Sequence, residues 1–184
     1  MIELKKPKVK IIEKAVSLAK EYEAQYRGCG QCTFLAIIDA LRWGGLELIS
    51  EKTEESYFSA VCGFTGGTSM VIDGTCGAVN SSILTLGLAL GITRSIQTDA
   101  RLRNICAIIK NTILEKFYQE YKSISCRDIM NIYFGKIWNL TDDAASHDFL
   151  TVSHGCAIMK TVGWTTEIIL DEFSKGNVIT RQQR

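Results

Sequence analysis

The sequence predicts an all-α fold, a single compact bundle of about six or seven helices occupying residues 1–184. Three observations carry this expectation. Proline occurs once, at Pro7, so nothing beyond the first few residues forbids helix. Apolar residues recur at spacings of three and four over long windows. No Asn-Gly type of turn links two alternating runs, so the hairpin signal of a β protein is missing.

The elements follow in order. Residues 1–10 form a basic leading segment. Ile12, Ala15, Val16, Ala19 and Tyr22 then fit one face of a first helix. Segments 29–43, 53–62, 76–91 and 126–134 read as further helices. Leu102, Ile105, Ile109, Ile113 and Phe117 mark a longer one. Met159, Val162, Thr166, Ile169, Leu170 and Phe173 mark the last, with Gly176 as its stop. Residues 62–82, "CGFTGGTSMVIDGTCGAVNSS", are the main irregular segment. They carry no Gly-Lys-Ser/Thr and follow no strand, which excludes a phosphate loop. Their glycines are expected to let backbone N–H groups approach something closely. No repeat, low-complexity tract or linker divides the chain.

Composition narrows the function classes. Twenty-one basic residues against twenty acidic ones give no electrostatic footprint for nucleic acid. The longest apolar stretch, residues 83–92, is broken by Thr85 and two glycines and is too short to span a bilayer. No apolar run of a secretory signal follows the basic start. The expectation is a soluble, cytoplasmic protein without membrane insertion. In a reducing compartment seven cysteines, an odd number, argue for metal binding or redox chemistry over structural disulfides.

Four cysteines share one local context. Cys29 follows Gly28, Cys76 follows "DGT", Cys126 follows the capping residue Ser125, and Cys156 follows "SHG". Each is expected to open a helix whose apolar face comes next. A helix N-terminus offers unpaired N–H groups and partial positive charge, worth about 0.3–1 kcal/mol. It therefore favours the thiolate, the form that ligates metal or attacks a disulfide. Cys106, beside Ile105 in the long helix, reads as plain core packing. Burial is also favoured for Cys62. Cys32, one turn beyond Cys29, either reaches the same centre or faces the core.

Arg127, beside Cys126, and Lys160, one turn after Cys156, read as ordinary surface charges. Trp43, Trp138 and Trp164 read as core or interface residues, His154 as a solvated loop residue, and Asp142 and Asp143 as loop.

These residues resemble a known family. "CGQ" at 29–31, "GTCGAVNS" at 74–81, "CRDIM" at 126–130 and "GCAIMKTVGW" at 155–164 are similar to the C_GCAxxG_C_C family of redox-active proteins. That family is named for four spaced cysteines and a Cys-Gly-Ala-x-x-Gly motif. The likeness runs over about residues 26–173. Family members usually carry Cys-Ala-Gln at the first site, so Gln31 aligns Cys29, and not Cys32, with the family cysteine. The remaining three correspond to Cys76, Cys126 and Cys156. Ser81 stands where the central motif has its final glycine, and Cys32 and Cys62 are additional to the pattern. The resemblance implies a redox role. A similar helical domain accompanies haem in split-Soret cytochromes, but the absence of C-x-x-C-H here argues against covalent haem.

Three functional readings follow. The first is electron transfer through an iron–sulfur cluster on Cys29, Cys76, Cys126 and Cys156, with Cys32 and Cys62 as further candidate ligands. The second is a cluster-free thiol–disulfide oxidoreductase in which Cys29 and Cys32 exchange. The third is a structural zinc site on the same thiolates. A redox partner protein is expected, and helix faces of this kind also suit a homodimer.

Overall fold

A computed structural model of the chain describes residues 3–91, 93–94 and 96–184. Residues 1 and 2 of the basic leading segment, and residue 92 of the apolar stretch, lie outside them. The fold is all-helical, and no strand occurs among the described residues. Nine α-helical segments occur among the described residues: α1 (Lys8–Tyr26), α2 (Cys29–Trp43), α3 (Glu51–Ala60), α4 (Gly77–Leu90), α5 (Asp99–Ile109), α6 (Glu115–Tyr121), α7 (Cys126–Phe134), α8 (Asp143–Ser153) and α9 (Ile158–Ser174). A π-helical turn, Lys110–Leu114, joins α5 to α6 into one rod. Eight rods therefore replace the expected six or seven among the described residues.

The additional rod is α8. Its segment carries only a weak apolar stripe, and Asp142 and Asp143 read as loop. Asp142 is instead the N-cap, its carboxylate accepting from the Ala145 N–H at 2.8 Å. Ser50, Thr98 and Ser125 cap α3, α5 and α7 in the same way. Asp143, Asp128 and Asp99 then place negative charge in first turns, where the helix dipole favours it. Gly176, with φ of 76°, follows the end of α9 as expected.

Helix α2 is the hub, packed against α1, α4 and α9. Phe34, Ile37 and Leu41 are fully buried there with Ile11 of α1, Leu86 of α4 and Ile169 of α9. Each such side chain contributes about 1.5–3 kcal/mol by leaving water. On α1 the buried stripe is Ile11, Ala15, Leu18 and Ala19, one position off the expected face. The π-helical turn adds a residue to one turn of the long rod. Phe117 and Tyr121 thereby face a second cluster with Cys76, Val79, Ile129 and Ala157. A third cluster, Ile72, Met130, Trp138 and Leu140, packs with Phe149 of α8.

Two expected core positions are exposed. Cys106 lies next to Ile105 in sequence, but consecutive helical residues point about 100° apart, and only Ile105 faces inward. Cys62 is exposed because α3 ends at Ala60 and the chain turns outward through a short 3₁₀ turn, Val61–Phe64. Trp138 is buried, Trp164 packs against the core, and Trp43 is 41% exposed with the Lys6 ammonium over its ring. No described helix is long and apolar enough to cross a membrane.

Candidate redox site

The helices deliver four cysteines to one place. Cys29 is the first residue of α2 and Cys126 the first of α7. Cys76 is the N-cap of α4. Cys156 does not open α9, as the sequence suggested; it sits in the turn just before it, because α9 begins at Ile158. All four line a single cavity of about 620 Å³, together with Cys62 at its exposed edge. Cys32 is fully buried outside it and donates from its thiol to the Tyr22 carbonyl at 3.2 Å.

Backbone pairing fixes the second and third cysteines beside each other. Thr75 and Ser125 form an isolated antiparallel bridge. The Cys76 N–H donates to the Ile124 carbonyl at 2.7 Å, and the Cys126 N–H to the Gly74 carbonyl at 3.0 Å. Arg127 closes this junction from outside through an ion pair with Asp73. Cys156 is steadied by Tyr121, whose hydroxyl donates to the Cys156 carbonyl at 3.1 Å. Arg127 and Lys160 are otherwise surface charges, as read, the latter paired with Glu120.

The loop from Thr65 to Thr75 is unusual. Gly66, Gly67, Thr68, Ser69, Met70 and Ile72 all have φ between 51° and 70°. Left-handed backbone costs a residue with a side chain roughly 1–2 kcal/mol, and four such residues occur here. Strain of this kind persists where surrounding structure over-determines it, commonly at functional sites. The loop curls so that the Gly66 amide, with those of Gly77 and Gly30, acts to lower the Cys29 thiol against the effect of burial.

Close approach explains the glycine of the Cys-Gly-Ala motif. A Cβ on Gly77 would lie 2.5 Å from the Cys29 sulfur and 2.8 Å from the Phe64 carbonyl oxygen. Gly67 stands in the same relation to Cys126, whose Cβ would be 2.5 Å away. The family departure at Ser81 also has a physical account. Its buried hydroxyl donates to the Gly30 carbonyl at 2.7 Å, tying α4 to the first turn of α2. Replacing Ser81 by Gly should therefore lower stability by about 1–2 kcal/mol, through a lost hydrogen bond and a flexible residue in mid-helix. Chemical denaturation of the two proteins measures this directly. An unchanged midpoint would mean that the bond contributes nothing.

Electrostatics correct one expectation. The helix starts were expected to favour thiolates, yet burial raises the thiols instead. Desolvation pushes Cys126 up to about 12 and Cys156 up to about 11, and neighbouring thiolates add to both shifts. Cys76 is raised well above the ordinary value, first by burial and then by Cys29 and Cys126. Cys29 is raised by burial despite the amides aimed at it. Four sulfurs sharing one cavity cannot all ionise without a compensating positive charge.

Such compensation is what a metal centre supplies. Among the described residues no three His, Cys, Asp or Glu side chains gather closely enough to hold one metal ion. The donors instead surround a space. Sequence reasoning missed Glu23 and Thr65. Glu23 lines the cavity and raises the thiols of Cys32 and Cys156, but its position on α1 carries no motif. Thr65 carries a buried hydroxyl without a hydrogen-bond partner in the cavity wall, a property no sequence pattern encodes.

Comparison with known proteins bears on this arrangement. The family model described as "Putative redox-active protein (C_GCAxxG_C_C)" matches residues 27–169, which includes all four cysteines of the cavity. The chain belongs to the C_GCAxxG_C_C family. No curated protein and no solved structure matches it.

Proposed function

We propose that this protein transfers electrons through an iron–sulfur cluster held by Cys29, Cys76, Cys126 and Cys156. The observation that carries the reading is the convergence on one cavity of four thiols, three at helix starts and Cys156 in the turn before α9. Four thiolates are the usual complement of such a cluster, which supplies one-electron chemistry. A polynuclear group spans several ångströms, so its ligands need not meet at a point as zinc ligands must. The four thiols line one cavity, which suits such a group.

The chain's own residues have definite tasks in this reading. The amides of Gly66, Gly77 and Gly30 stabilise negative charge on the Cys29 sulfur and so raise the reduction potential. Bare glycines at 67 and 77 let backbone close over the ligands. Apolar side chains such as Ile129 and Met130 keep water away. Cys29–Cys32 exchange is less well served. Cys32 is fully buried, hydrogen-bonded to backbone and raised to about 12, so it is poorly placed to attack or resolve.

Anaerobic purification with a visible spectrum and iron, sulfide and zinc analysis tests the proposal. The expected result is iron with matching sulfide and absorbance that bleaches with dithionite. Serine at Cys29, Cys76, Cys126 or Cys156 should reduce bound iron at least tenfold, while Cys106→Ser should leave it unchanged. Stoichiometric zinc, or no metal with free thiols, would overturn it.

A further inference from the structure

Five cysteines line the cavity, one more than the site proposed above requires. Cys76 is buried and Cys29, Cys126 and Cys156 are half-buried, whereas Cys62 is exposed. Cys106, the other exposed cysteine, belongs to α5 and does not line the cavity. Cys62 alone therefore joins solvent to the space that the other four thiols share.

The backbone fixes Cys62 on this rim from both sides. Val61, the residue before it, is fully buried, and its carbonyl oxygen lies 2.7 Å from where a Cβ on Gly30 would stand, against the first turn of α2. Gly63, the residue after it, accepts from the Ser69 N–H at 2.8 Å, and the Cys62 carbonyl accepts from the Thr65 N–H at 3.1 Å. The 3₁₀ turn is thus clamped between the helix that carries Cys29 and the left-handed loop that leads to Cys76. Cys62 sits on a held edge, not on a free tip.

A metal ion that ends among thiols inside a cavity needs an entry path. It arrives with water or carrier ligands, which leave one at a time as protein donors replace them. A soft donor at the mouth lets the first exchange occur before the ion gives up the rest. Cys62 offers thiolate sulfur there, and Glu23, in the same lining, offers a harder carboxylate.

We propose that Cys62 is the entry ligand of the site, the thiol that captures an incoming thiophilic divalent ion such as ferrous iron and passes it to Cys29, Cys76, Cys126 and Cys156. This rests on the reading that those four thiols hold metal. Cys62 gives its thiol proton to solvent and binds the ion in place of one water. A cavity thiol then loses its own proton and takes over the ion, and Cys62 recovers a proton from solvent. The net change is one cavity sulfur–metal bond in place of a metal–water bond, with one proton released; no electron moves.

The test is stopped-flow mixing of cadmium chloride with the reduced, metal-free protein without oxygen, followed through the ultraviolet absorption of cadmium–thiolate bonds. Cys62→Ser should slow the rise by about fivefold or more and leave its final height unchanged. Cys106→Ser should alter neither, and Glu23→Gln should slow the rise less than Cys62→Ser does. Alkylation of the cadmium-loaded wild type gives a second readout: Cys62 should be labelled and the four other cavity cysteines protected. An unchanged rate or a smaller final height in Cys62→Ser overturns the inference. So does equal slowing by Cys106→Ser or Glu23→Gln, a Cys62 shielded by metal, or a wild type that takes up no cadmium. Cadmium reports on the thiols alone, so this outcome is separate from the iron and sulfide content that decides the cluster reading.

Discussion

Gly77→Ala is expected to destabilise the protein by about 2–3 kcal/mol and, if the proposed cluster is held there, to lower bound iron. The sign is diagnostic. Alanine ordinarily stabilises a helix relative to glycine, by up to about 1 kcal/mol in its interior. At position 77 the added methyl meets the Cys29 sulfur at 2.5 Å, the Phe64 carbonyl oxygen at 2.8 Å and the Gly30 nitrogen at 3.0 Å. Two of these are backbone atoms, so nothing flexible can yield, and the starts of α2 and α4 must move apart. Gly87 is the internal control. It lies in the same helix, and a Cβ there meets nothing within 4 Å. Gly87→Ala should raise stability by about 0.5–1 kcal/mol. Paired denaturation curves and iron analysis of both variants check the argument. Equal stabilisation by both substitutions would show that the glycine of the motif is kept for a reason other than space.

That contrast also shows what the sequence could and could not disclose. Helix α2 was legible as residues 29–43 and α7 as 126–134, because Gly28 and Ser125 punctuate them and strong apolar periodicity follows. The helix-start setting of Cys29, Cys76 and Cys126 was legible for the same reason, while Cys156 falls in the turn before α9. Helix α8 was not, since its cap Asp142 follows a turn and no dominant stripe comes after it. The exposure of Cys106 depends on which side of α5 a neighbour occupies, and local pattern has no access to that. Cys62 failed similarly, one residue past the point where α3 frays into a tighter turn.

The left-handed loop is the clearest case of local rules giving way. Thr68, Ser69, Met70 and Ile72 have ordinary propensities for right-handed or extended backbone. They hold positive φ because their amides and carbonyls are tied elsewhere. The Ile72 N–H donates to the Gly66 carbonyl at 2.9 Å, and the Arg127 N–H to the Ile72 carbonyl at 2.9 Å. The cysteine site therefore depends on contacts 54 residues apart, between Asp73 and Arg127. A glycine-rich sequence announces freedom to adopt such a path, and the long-range bonds choose it.

In the metal-free, reduced protein, stability is expected to fall by several kcal/mol as pH rises from about 8.5 to 10. The sign follows from the thiols. Burial raises Cys126 to about 12, Cys32 to about 12 and Cys156 to about 11, with Cys76 and Cys29 raised as well. An unfolded cysteine loses its proton near pH 8.5. Above that value the unfolded chain holds fewer protons than the folded one, so base pulls the equilibrium toward unfolding. The contribution is fully present below pH 8.5 and is lost as pH climbs toward the folded values. Each thiol contributes a slope of up to about 1.4 kcal/mol per pH unit in that window. Tyrosine, ordinarily near 10, begins to titrate at the top of this window, so the thiols' share is read by comparison with a variant lacking two of them. Urea denaturation at successive pH values supplies the curve, and a Cys126→Ser/Cys156→Ser protein should show a visibly shallower one. A flat curve would mean that the amides at the helix starts cancel the effect of burial, and a rising one that they outweigh it. The same proton inventory governs loading. Four neutral thiols must each release a proton to ligate, so incorporation of the centre at neutral pH should release close to four protons per chain. The positive charge it brings then removes the mutual repulsion that keeps the empty site protonated, which is why the loaded protein should lose the alkaline sensitivity of the metal-free one.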